Sequence, residues 1–86
     1  MKEIFYTTHA KSQIKLRNIS KKKVLETIKE PISVESPGFN RKVAQKLYNI
    51  KGKKTLMRVI FIEENDRIKI ITAYITTKIL KYLKGS

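Results

Sequence analysis

Between a short first strand and a short last helix, apolar positions along this chain change their period at Pro31. Before it they recur at helical spacing, and after it they alternate. Ile4-Phe5-Tyr6 reads as a short first strand. Thr7 or Thr8 is placed to cap a helix over about residues 9–17, with Ala10 and Ile14 on its inner stripe. Asn18 is a residue type that ends helices readily. Ser20 then caps a second helix, roughly residues 21–29, in which Val24, Leu25 and Ile28 share a side. Pro31 stops it. The three lysines at 21–23 occupy the first turn, where the helix dipole opposes cations.

Beyond Pro31 the pattern predicts strands. Ile32 and Val34 form a short one before a turn at Pro37-Gly38. From Lys42 to Ile50, Val43, Gln45, Leu47 and Asn49 fall on one face, and Ala44, Lys46, Tyr48 and Ile50 on the other. Lys51-Gly52-Lys53 makes a hairpin turn, Thr55 to Ile62 is strongly strand-forming, and Asn65-Asp66 turns the chain back. Arg67 to Ile75 is the next strand, with Ile68, Ile70, Thr72 and Tyr74 expected on a common face. These last two strands are apolar on both faces near their middles, so they read as the central pair, covered on one side by the helices. Thr76 or Thr77 caps a short last helix carrying Ile79, Leu80 and Leu83. The order is that of an α+β domain.

At 86 residues the chain makes one domain, 1–86, and 41% of it is apolar, enough for a core. No apolar run reaches the length that crosses a bilayer. The start carries no secretory leader pattern, so the expected location is the cytoplasm and no membrane partner is expected. There is no cysteine, and one histidine with seven acidic residues is a poor donor set for a metal cage, so neither metal nor cofactor is expected. Charge changes the picture most. Twenty basic residues against seven acidic ones give a net charge of +13. The excess recurs on both helices, the hairpin and the tail; only residues 63–75 are net acidic. A folded surface of this kind attracts phosphate backbones by counterion release, so RNA is the expected partner.

Several residues stand out as candidate chemistry. His9, Gln13 and Arg17 share one side of the first helix. His9 reads as a packing or capping residue or, at a helix start that disfavours the imidazolium, as a general base. Tyr74, in Thr72-Ala73-Tyr74, reads as a sheet-edge aromatic or as a group that stacks on a base or meets a phosphate. Arg58 stands mid-strand between Met57 and Val59, where a charge is costly unless it faces a ligand or an acid. Glu63 and Glu64 have no second carboxylate pair at useful spacing, which argues against a two-metal nuclease site, and no glycine-rich phosphate loop is present.

The run from His9-Ala10 through Arg17-Asn18-Ile19-Ser20, followed by Val24 and Pro31, resembles a family of small domains of unknown function. Those domains open with His-Ala-x-x-Arg-x-x-x-Arg-Gly-Ile-(Thr/Ser) and close on an apolar residue before Thr-x-Tyr; Ile70-Ile71-Thr72-Ala73-Tyr74 resembles the closing piece. The resemblance covers about residues 6–76. The family is in turn similar to the metal-independent ribonucleases that include barnase, EndoU, colicin nucleases and RelE-type toxins. That likeness implies two N-terminal helices packed on a curved antiparallel sheet of about four strands, with a short C-terminal helix. It implies a ribonuclease toxin of a toxin–antitoxin pair, cleaving RNA by 2′-OH attack and held in check by a small acidic antitoxin. It assigns His9, Arg17 and Tyr74 to catalysis. Gln13, Thr72, Arg58 and Lys78, with Lys53 and Lys54 of the hairpin, then hold the substrate, helped by other lysines in 51–54 and 78–84. Gln13 stands where the family has Arg, and Asn18 where it has Gly. A nearby lysine replaces the lost arginine only as a point charge. Two other classes fit the same charge: a non-catalytic nucleic-acid binder, and a toxin-related interaction module.

Overall fold

A computed structural model describes residues 3–83. Five strands and three helices follow in the order β1 (Glu3–Tyr6), α1 (Thr8–Leu16), α2 (Lys21–Lys29), β2 (Ser33–Gly38), β3 (Arg41–Ile50), β4 (Lys53–Glu64), β5 (Arg67–Thr76) and α3 (Ile79–Tyr82). The strands form one sheet in the order β1-β5-β4-β3-β2. This corrects the expectation of an antiparallel sheet of about four strands. The sheet has five and is mixed, because β1 runs parallel to β5 from Glu3↔Arg67 to Tyr6↔Ile70. Pairing between strands so far apart in sequence leaves no turn signal to read. The strand after Pro31 is also longer than expected. Pro37-Gly38 lies inside β2, and the turn falls one step later at Phe39-Asn40, both with positive φ.

Local chemistry explains the helices. The Thr7 side chain accepts from the Ala10 N–H at 3.0 Å, and that of Ser20 from the Lys23 N–H at 3.3 Å. Asn18, at φ 54°, closes α1 in a Schellman motif. The Asn18 N–H donates to the Lys15 carbonyl at 3.2 Å and the Ile19 N–H to that of Ile14 at 2.9 Å. Asparagine tolerates this left-handed backbone better than most residues do. The cap of α3 differs from expectation. Lys78, not Thr76 or Thr77, holds the N-cap position and makes no side-chain cap; the Thr76 hydroxyl instead accepts from the Lys78 N–H.

The core lies between the helices and one face of the sheet. Ala10, Ile14, Ile19 and Val24 pack against Ala44, Met57, Val59, Phe61, Ile70 and Ala73. A β-bulge in β5 decides which side chains point there. Ile60 pairs with Thr72 but the next residue, Phe61, pairs with Ile70, so Ile71 is the extra one. Ile68 and Ile70 therefore join the helix side while Thr72 and Tyr74 point away from it. The expectation that all four share a face is corrected, because the alternation of side chains breaks at an inserted residue. The Thr7 hydroxyl donates to the Ile71 carbonyl at 3.2 Å and fastens the start of α1 to the bulge.

Candidate functional site

The face of the sheet turned away from α1 and α2 carries a polar row across its middle. Register places Ser33, Gln45, Arg58 and Tyr74 directly opposite one another on β2, β3, β4 and β5. Arg58 is its hub. Its Nε donates to the Tyr74 hydroxyl at 2.6 Å, and its Nη1 donates to Gln45 Oε1. The Glu35 carboxylate stands 3.6 Å from Nη1, and the Arg58 side chain is only 11% exposed. The amide of Gln45 continues the row, donating to the Ser33 hydroxyl at 3.4 Å and to Glu35 at 3.3 Å. The charge that looked costly in mid-strand is thus met by a carboxylate, an amide oxygen and a phenol.

The face of the guanidinium is covered as well. Tyr82, on α3, sets its ring centroid 3.9 Å from Arg58 Cζ and meets the Tyr74 ring edge-on at 6.4 Å. Burial pushes the Tyr74 phenol above its ordinary value, and the Arg58 guanidinium draws it part of the way back. The phenol is therefore protonated near neutrality and has a proton to donate. Beside this cluster opens a cleft of about 500 Å³ lined by Arg17, Tyr74, Ile75, Thr76, Lys78, Lys81 and Tyr82. All of those seven side chains except Ile75 carry an N–H or O–H donor that can meet an anion, Arg17 as a fork and the lysines as point charges.

The sequence-selected residues divide between places. Arg17 and Tyr74, about two thirds of the chain apart in sequence, line the same cleft, and Lys78 lines it with them. Arg58 lies next to them, and Thr72 shares their face of the sheet one pair further along, opposite Ile60. His9 is exposed in the first turn of α1 and is not part of that lining. Arg17 caps the other end of the helix, eight residues and roughly 12 Å of axial rise away. Gln13 is half-buried between them, and its Oε1 is buried with no hydrogen-bond partner among the described residues. Lys53 and Lys54 are exposed at the start of β4, and Lys84 lies outside the described residues. Sequence reasoning missed Gln45, Glu35 and Tyr82. Gln45 had a legible signal, a polar residue inside an apolar alternation; Glu35 and Tyr82 had none. No group of three potential metal ligands occurs among the described residues.

A family model runs from Tyr6, at the end of β1, to Ile75, near the end of β5. The chain belongs to that family, DUF4258, a domain of unknown function. No curated protein and no solved structure matches it. The DUF4258 stretch contains His9, Arg17, Gln45, Arg58 and Tyr74 and stops short of α3, so Lys78, Lys81 and Tyr82 close the cleft from outside it.

Proposed function

We propose that this protein is a metal-independent endoribonuclease, the toxin of a toxin–antitoxin pair, and that its substrate phosphate sits in the cleft beside Arg58. The observation that carries this reading is the meeting of Arg17 and Tyr74, from opposite ends of the chain, in one cleft with Lys78. The reaction is the one implied by the likeness to the barnase, EndoU, colicin and RelE-type nucleases. The 2′-oxygen of a ribose loses its proton and bonds to the adjacent phosphorus, and the bond from phosphorus to the 5′-oxygen breaks. The products are a 2′,3′-cyclic phosphate and a 5′-hydroxyl. Arg17 stabilises the charge on the phosphate. The neutral phenol of Tyr74, held by Arg58 at 2.6 Å, orients the phosphate and can protonate the leaving oxygen. His9 is the candidate base that the likeness implies, and taking the 2′-proton requires it to come within hydrogen-bond reach of the ribose whose phosphate sits in the cleft. Thr72 and Gln13 flank the site, and Lys53, Lys54 and Lys78 hold the backbone. A small acidic protein is the fitting antitoxin for a surface of net charge +13.

RNA cleavage in EDTA tests the proposal. Wild type releases cyclic-phosphate ends, and Arg17→Ala and Tyr74→Phe both lose most of the rate. A general base contributes about 100- to 10,000-fold, so His9→Ala drops by at least that lower figure if His9 is the base. Equal rates for wild type and His9→Ala remove His9 from the mechanism and leave the cleft in place. A second reading, a non-catalytic nucleic-acid binder, is favoured by the position of His9 outside the cleft lining. Steeply salt-dependent binding with no cleavage product, at any pH, identifies it.

A further inference from the structure

The Arg58 guanidinium has two uses to offer a ligand, its edge and its flat face, and they are filled in different ways. The edge is bound by Gln45, Tyr74 and Glu35, all on strands of the sheet. The face is covered by a residue of α3, a helix of four residues with no side-chain cap and no buried residue. Its Leu80 is largely exposed, and Tyr82 is the ring it lays on Arg58. One partner of this stack is fixed by the central strand, and the other is carried by the least anchored helix of the molecule. The stack also lies at the wall of the cleft, where Arg17, Lys78 and Lys81 gather.

We propose that the face of Arg58 is a stacking site for a nucleobase of single-stranded RNA, and that Tyr82 fills this site in the free chain and gives way to the base. This rests on the reading of the cleft as an RNA site. A guanidinium plane accepts any flat π-system, so base and phenol compete for one place. The cations beside it meet the neighbouring phosphate, so the ligand class is a nucleotide within a strand rather than a bare anion or a bare ring. The hydrogen bonds on the edge of Arg58 keep its plane in position while the occupant changes. Tyr82 thus lowers affinity by the fraction of time it covers the site.

Binding of a fluorescent, fully 2′-O-methylated oligoribonucleotide tests this without cleavage, because it lacks the attacking hydroxyl. Tyr82→Ala is expected to bind about 2- to 30-fold tighter than wild type, the range set by removing one competing cation–π contact. Tyr82→Phe, which keeps the ring, binds like wild type. An abasic strand of equal length shows no gain with Tyr82→Ala. Unchanged or weaker binding by Tyr82→Ala overturns the inference, and so does an equal gain for the abasic strand, which would mean that Tyr82 merely blocks anions. Tighter binding by Tyr82→Ala in a protein that cuts no RNA upholds the stacking site and sinks the nuclease. Cleavage by a protein whose Tyr82→Ala form gains no affinity does the reverse.

Discussion

The two faces of the sheet are built by different rules. On the helix side, Val59, Ile70 and Ala73 lie with Ala10 and Val24 in a fully buried apolar layer, and shape alone relates them. On the other side, Ser33, Gln45, Arg58 and Tyr74 are related by donors and acceptors, each fixing the next. An apolar face loses by the volume removed from it. A polar row loses by the partner left behind, since a buried donor without an acceptor costs more than the bond was worth. The first face holds the fold together, and the second holds one cation and one phenol in fixed positions.

That contrast can be broken in order of expected effect. Ile70→Ala, at the centre of the helix side, is expected to cost about 2–5 kcal/mol in urea unfolding; a loss below 1 kcal/mol would mean that the helices are not firmly docked. Gln45→Leu conserves volume on the other face but strips Arg58 of its amide acceptor. It is expected to cost about 1–3 kcal/mol, and a stabilised variant would show that the open face obeys the apolar rule after all. Thr7→Ala removes a cap and the hydroxyl bond to the bulge, and a loss of about 1 kcal/mol is expected from the cap. Phe39→Ser touches neither face, since Phe39 is 99% exposed at the β2–β3 turn; its effect should stay within about 0.5 kcal/mol.

Two tyrosines extend the comparison to pH. On the helix side, the Tyr48 hydroxyl donates to the Glu26 carboxylate at 2.8 Å. Burial first, and then that carboxylate, push the Tyr48 phenol up to about 12. A group whose folded value is raised stabilises the fold fully below its unfolded value, near 10, and loses that contribution as pH climbs towards about 12. Burial raises Tyr74 too, but there the neighbour is a cation that pulls the other way. Absorbance titrations of Tyr48→Phe and Tyr74→Phe should therefore show Tyr74 ionising first, and the reverse order would deny the Arg58 contact in solution.

Much of this was legible in the sequence. Both N-terminal helices, their threonine and serine caps and the hairpin turns at Gly52 and Asn65 follow from local chemistry, and the structure has them where that chemistry puts them. What failed to show was non-local. No local signal announces that Glu3–Tyr6 pairs with Arg67–Ile70, or that Ser33–Gly38 pairs past a proline. The bulge at Ile71 is invisible because an inserted isoleucine among isoleucines does not disturb the apolar pattern, although it changes which face Tyr74 occupies. Of the residues at the cleft, Arg17 and Tyr74 were singled out through the resemblance and Arg58 by the cost of a mid-strand charge. Tyr82 was missed because nothing in the spacing says that the tail folds back onto the central strand.

The parallel pairing of β1 with β5 has a consequence for how the protein comes into being. During synthesis the first strand leaves the ribosome without its partner, and it waits until residues 67–70 have followed. The cleft, which needs Arg17 from one end and Tyr74 and Lys78 from the other, closes later still. Contacts this distant in sequence form slowly and last. A nascent chain or a truncated product would therefore carry both helices and most of the basic charge, yet have no assembled site.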